Sequence, residues 1–219
     1  MKQYLFFAIA AVIPAFVFAT PAPIVATLNA LDMDGAVHSN LSNRSFVGLD
    51  LTGLYLKNQI VEWTDFTNCT GISGTDLSTA MILMGSKLGG SNLNLTGLVI
   101  PHGYCYGIDL SATGSGGATT TLNVSALNAC TTLSRSNLSG LNLTGLNLTG
   151  INVMYVNFTN CTNFTAAMLA KSTSISYCNV TGTGITRAAL QSALQSSWAG
   201  NATLINSIST VLGTITGLQ

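Results

Sequence analysis

Residues Thr132 to Phe158 read TLSRSNLSGLNLTGLNLTGINVMYVNF, and this stretch decides the fold. An apolar residue returns at every fifth position, at Leu133, Leu138, Leu143, Leu148, Val153 and Phe158. Two places before the later centres stand Ser136, Leu141, Leu146, Ile151 and Val156. Asn fills the place between, at Asn137, Asn142, Asn147, Asn152 and Asn157, and Ser or Thr usually follows the centre. A period of five matches neither the helical repeat of about 3.6 nor the strand repeat of 2, so no single amphipathic element explains it. It specifies a solenoid, in which each unit buries its apolar residue only against its neighbours.

The same pattern recurs upstream. Leu41, Phe46, Leu51, Leu56, Val61 and Phe66 also step by five, and each lies 92 positions before its counterpart. Even the irregularity repeats. After Phe66 and after Phe158 comes Thr-Asn-Cys-Thr, then a one-residue slip to Ile72 and Phe164, then five more to Leu77 and Leu169. A third run lies between, at Leu95, Ile100, Cys105 and Leu110, with Leu93, Leu98, Gly103 and Ile108 two places before.

The units Asn-Leu-Ser-Gly-Leu, Asn-Leu-Thr-Gly-Leu and Asn-Leu-Thr-Gly-Ile at 137–151, with Gly-Leu-Asp-Leu-Thr-Gly-Leu at 48–54, resemble the pentapeptide-repeat family. The resemblance spans 39–172 with interruptions. It implies an all-β solenoid: a right-handed, four-sided β-helix with one pentapeptide per side. One departure stands out. The place two before the centre is often Leu or Ile here, where the family favours Ala, and bulkier inner residues are expected to widen or distort the coils. The expected structural core is Leu41, Phe46, Leu51, Leu56, Val61, Phe66, Leu95, Ile100, Leu110, Leu133, Leu138, Leu143, Leu148, Val153, Phe158, Phe164 and Leu169.

The flanks complete the domain plan. Residues 1–19 read as a secretory signal, with Lys2, an apolar run from Leu5 to Phe18 and a small-x-small site at Val17-Phe18-Ala19. The run is short and broken by Pro14 for a membrane span, so the expectation is cleavage, a mature start near Thr20 and no stable span thereafter. Residues 20–38 read as a lead-in that covers the open end of the solenoid. The β-helix itself is expected over 39–182, with loops near 83–91 and 112–130. Residues 183–219 turn helical. Leu190, Leu194 and Trp198 are spaced by four behind a capping Thr186, and after Gly200-Asn201 comes a second stripe of Leu204, Ile205, Ile208, Val211, Leu212 and Ile215. This segment is expected to be a C-terminal helical cap. Its second stripe, through 202–216, is a candidate surface for self-association or a protein partner.

Charge and chemistry narrow the function. Only 6% of residues are charged and the formal net charge is zero, which offers neither a basic face for nucleic acid nor an acidic one that imitates it. Mean hydropathy of +0.48 with no net charge points to assembly or surface attachment. Two histidines, His38 and His102, and one glutamate, Glu62, give no catalytic or metal-binding spacing, and no small-molecule substrate or cofactor is indicated. A catalytic reading would need His102, Asp109 and Cys105 to converge. Five cysteines, Cys69, Cys105, Cys130, Cys161 and Cys178, match no zinc pattern. Cys69 and Cys161 hold equivalent inward places and read as buried thiols, with disulfides among Cys105, Cys130 and Cys178 next. Many Asn-X-Ser/Thr sequons arise from the repeat itself; Asn40, Asn68, Asn123, Asn179 and Asn201 are the candidate glycosylation sites.

The expected function is therefore a non-catalytic, exported structural or interaction protein that presents a rigid surface. Its expected place is secreted or on a cell surface (extracellular, periplasmic or on a virion). The alternative, inhibition of a DNA-processing enzyme by DNA mimicry, lacks the acidic surface and the cytoplasmic address that it needs.

Overall fold

The computed structural model describes residues 40–89, 93–112 and 121–219. The expected signal at 1–19, the lead-in at 20–38 and most of the Gly/Ser/Thr connector, 113–120, lie outside them. Residues one coil apart pair in parallel. One axial column of bridges runs Ser45, Asp65, Lys87, Asp109, Asn137, Asn157, Asn179 and Thr216. Others run Asn40, Ile60, Ile82 and Tyr104, Thr132, Asn152, Ser174. Where pentapeptides are uninterrupted the step is twenty residues, as from Asn137 to Asn157. There the Leu138 N–H donates to Asn157 O at 2.9 Å and the Asn157 N–H donates to Ser136 O at 3.0 Å. The result is a β-helical solenoid of very short parallel rungs. Asn94–Leu95 (β1) and Thr121–Leu122 (β2) form its two-residue strand pair.

The repeat explains the bends. Leu141, Leu146 and Ile151 each donate an N–H to the carbonyl three residues back, at 3.1–3.2 Å, which makes a tight turn after each of these centres. The turn needs a left-handed residue two places after the centre, and Gly140, Gly145 and Gly150 supply it with φ of 75, 86 and 78°. Asn before the centre holds the turn from outside. Asn142 Oδ1 accepts the Thr144 N–H at 3.0 Å and its hydroxyl at 2.8 Å, and Asn147 and Asn157 treat Thr149 and Thr159 alike. Inside, all seventeen core residues named above are buried. Phe46 and Phe66, one coil apart, meet with ring centroids 5.5 Å apart. The bulkier inner residues Leu141, Leu146, Ile151 and Val156 are buried too, and the coil step there stays at twenty.

Each slip is a one-turn helix. Gly74–Leu77 (α1) is opened by Ser73 in a reciprocal capping arrangement with Asp76, and Ala166–Leu169 (α2) by Thr165. Gly74 lies so close to the next coil that a Cβ would come within 2.8 Å of the Leu95 carbonyl carbon and oxygen. A second one-residue slip follows each helix and brings the pattern back on Leu83 and Leu88, and on Ile175 and Val180, all buried. These coils therefore step by twenty-two, from Ile60 to Ile82 and from Asn152 to Ser174.

Two expected loops are corrected in part, over 83–89 and 121–129; residues 90–92 and 113–120 lie outside the described residues. Residues 83–89 are solenoid, since Lys87 bridges both Asp65 and Asp109; the sequence reading stopped at the second slip. In the stretch 112–130, β2 pairs with β1, and Val124–Ala129 forms a 3-10 turn with Val124 and Leu127 buried. The C-terminal segment forms Arg187–Ser197 (α3) and Ala202–Thr214 (α4), capped by Thr186 and Asn201. Beyond them Thr216 adds a rung: its N–H donates to Cys178 O at 2.9 Å and its carbonyl accepts from Val180 at 2.8 Å. The stripe offered for self-association is largely covered from within. Ile208, Leu212 and Ile215 are buried and Ile205 and Val211 pack half-buried on the core, leaving Leu204 39% exposed. Among the described residues no helix is long and apolar enough to cross a membrane.

Candidate interaction surface

One corner of the solenoid departs repeatedly from the pattern in which Gly or Asn takes the left-handed place; elsewhere His102 alone does so among the described residues. Its residues, two places after the centres of one side, run Asn43, Trp63, Gly85, Gly107, Arg135, Tyr155 and Tyr177. They follow one another coil by coil through Asn43 N–H to Glu62 O, Trp63 to Met84, Gly85 to Tyr106, Gly107 to Ser134, Arg135 to Met154 and Tyr155 to Ser176, at 2.8–3.0 Å. Trp63, Arg135, Tyr155 and Tyr177 hold φ of 55, 63, 60 and 61°. A bulky side chain there is strained by roughly 1 kcal/mol or more, which is the kind of outlier that points to a task.

The side chains form a ridge. The Trp63 indole lies over Gly85, where a Cβ would collide with it, and reaches Gly107, whose Cβ would stand 3.4 Å from Cη2. Two glycines thus make a seat for one ring, which remains 48% exposed. Further along, Tyr155 and Tyr177 stack at 4.6 Å with planes 5° apart, and the Arg135 guanidinium sits 4.9 Å over the Tyr155 ring. Tyr104, 57% exposed, belongs to the same side. The neighbouring side carries an ion pair, Lys87 Nζ to Asp65 Oδ2 at 2.9 Å. Burial pushes the Asp65 pKa up, but the Thr67 hydroxyl and N–H and Lys87 outweigh it and leave it below the ordinary value. The sequence reading missed this ridge. Its signal was present: large residues two places after Val61, Val153 and Ile175, where the repeat elsewhere has Gly or Asn.

The cysteines divide. Cys105 and Cys130 form a disulfide across 25 residues, so Cys105 has no thiol to pair with His102. Cys69, Cys161 and Cys178 are free and buried. Their thiols donate to the carbonyls of Phe46, Leu138 and Val153 at 2.8, 3.1 and 2.9 Å, the place that Thr64 and Ser136 fill with hydroxyls elsewhere. Burial pushes their pKa up to about 12, 11 and 12. His102 is exposed in the 3-10 turn Pro101–Gly103 with φ 53°. No group of His, Cys, Asp or Glu that could hold a metal occurs among the described residues.

The glycosylation candidates do structural work. Asn40 and Asn179 close turns on Ser42 and Thr181, Asn123 and Asn201 cap helices, and Asn68 takes a left-handed corner with φ 57°. Residues 130–160 match the family model described as pentapeptide repeats (8 copies). No curated protein matches the chain.

Proposed function

We propose, with the pentapeptide-repeat match at 130–160 as premise, an exported, non-catalytic rod that uses the Trp63–Tyr177 ridge to engage a partner at a cell surface, in the extracellular space or in a virion. The observation that carries this reading is the ridge itself: four strained, exposed aromatic and cationic side chains gathered on one corner, where the left-handed places of the other corners take Gly and Asn with His102 as the exception. The proposed form is the right-handed, four-sided helix, with the segment 183–219 as its C-terminal cover and 20–38 as its N-terminal one. The stripe at 202–216 then serves as cover and not as the association surface. Export is supported by the leader pattern at 1–19 and by a disulfide, which persists in oxidising compartments.

The test is retention at the source. Protein recovered from its native source should start near Thr20 by mass spectrometry and fractionate with the surface or the medium. Combined replacement of Trp63, Tyr155 and Tyr177 by Gly should release the chain from that fraction without lowering its melting temperature. Unchanged retention of the folded triple variant would defeat the reading.

A further inference from the structure

We propose that the ridge binds a neutral polysaccharide of β-linked pyranose units lying along the solenoid axis; this rests on the interaction reading above and names its ligand. The argument begins with the Trp63 ring. One face is seated on Gly85 and Gly107, and the residue keeps 48% of its surface exposed, so its other face is available as a flat platform. The face of an aromatic ring is electron-rich. A pyranose with equatorial hydroxyls presents a flat patch of axial C–H bonds, polarised by neighbouring oxygens, that fits such a platform.

The rest of the ridge supplies what a sugar chain needs further along. Tyr155 and Tyr177 stack on each other, 44% and 51% exposed, and the Arg135 guanidinium sits over the Tyr155 ring. Their exposed phenol groups can donate to and accept from sugar hydroxyls. Half-buried Thr132, Asn152 and Ser176 flank them with more neutral hydrogen-bonding groups. Trp63 and Tyr177 stand five rungs apart, about 24 Å at a rung spacing of about 4.8 Å. A single sugar cannot touch both; an extended chain can.

Shape and charge disfavour other occupants. The ridge is a convex corner one side chain wide, whereas a stable protein interface buries about 800 Å² per partner. A second copy meets the same limit. The ridge carries a single cation, Arg135, against a formal net charge of zero for the chain, and one cation is too few to hold anionic lipid or an acidic polymer.

The experiment is depletion of the purified full chain from solution by microcrystalline cellulose and by chitin, with light scattering in parallel. The expected result is binding to at least one of them, weakened about tenfold by Trp63→Gly, since one lost ring stack is worth about a factor of ten. Trp63→Tyr should retain most of the binding, and the pair Tyr155→Gly with Tyr177→Gly should weaken it. Glycine suits the left-handed corner, so these variants should fold, and melting curves verify it. No depletion by either solid, or equal depletion of wild type and Trp63→Gly, overturns the proposal. So does a fall in particle size on Trp63→Gly, which assigns the ridge to a second copy. A chain that still holds to its native fraction through the ridge, yet ignores both solids, loses the sugar assignment alone.

Discussion

At the scale of single residues, the solenoid assigns opposite work to neighbours. Leu143 is fully buried, while Asn142 beside it is exposed and ties a turn through Thr144. Leu143→Ala should cost about 2–5 kcal/mol through lost transfer energy and a cavity. Asn142→Ala should cost about 1 kcal/mol through a lost turn bond. Equal melting shifts would contradict the inside–outside assignment. The thiols make a second case. With pKa values raised to about 11–12 by burial, Cys69, Cys161 and Cys178 stay protonated at pH 8 and shielded. A thiol reagent should label none of them in the native chain within minutes and all three in denaturant; fast native labelling would contradict their inward place. Their role was half legible. The place after Phe66 and Phe158 marked Cys69 and Cys161, but Cys178 looked like a disulfide partner because the second slip, which sets it three after Ile175, has no local mark.

At the scale of elements, a period of five was readable wherever the chain kept it, as in Leu133 to Phe158, because the turn chemistry repeats with it. It was lost where one side becomes a helical turn. Past α1 and α2 the next centre falls six residues on, so Leu83 and Ile175 leave the count even though both are buried. The ridge was hidden for another reason. Its members, Trp63, Arg135, Tyr155 and Tyr177, come onto one corner only after folding, and none forms a motif with its sequence neighbours. The C-terminal helices were legible as amphipathic stretches and as a cap for the solenoid's end, whereas how much of the second stripe that cover would bury was not. That cover has a measurable consequence. A chain ending at Gly200 loses α4 and the Thr216 rung, exposing Leu190, Leu194 and the backbone of Cys178 and Val180. It should melt well below the full chain or fail to fold. An unchanged melting temperature would show that the segment is dispensable.

At the scale of the whole molecule, few charges mean that stability changes little with pH over a wide range. The Asp50 carboxylate is held below its ordinary value by the Thr52 hydroxyl and N–H, and Asp65 also lies below. Groups so lowered contribute stability above the unfolded value of 3.8 and lose it as pH falls through their lower folded values. Lys87 is raised by its hydrogen bond to Asp65, so its contribution holds below 10.5 and fades above it. Melting temperature should therefore be flat from about pH 5 to 9 and fall outside. Asp65→Asn keeps the turn, as Asn137 and Asn157 do in the same column, and removes the ion pair. It should cost about 0–1 kcal/mol at pH 7, because Lys87 is largely exposed, and should flatten the acid limb. An unaltered acid limb would refute that role for Asp65. The twenty-residue step also has a genetic reading. Because Asn157 repeats the pairing of Asn137, in-frame loss or copying of the segment 137–156 joins like to like, so recombination between repeats can shorten or lengthen the rod without disturbing either end. Length is then something selection can adjust by whole coils, and a gene encoding such a chain is expected to vary between lineages in steps of sixty nucleotides.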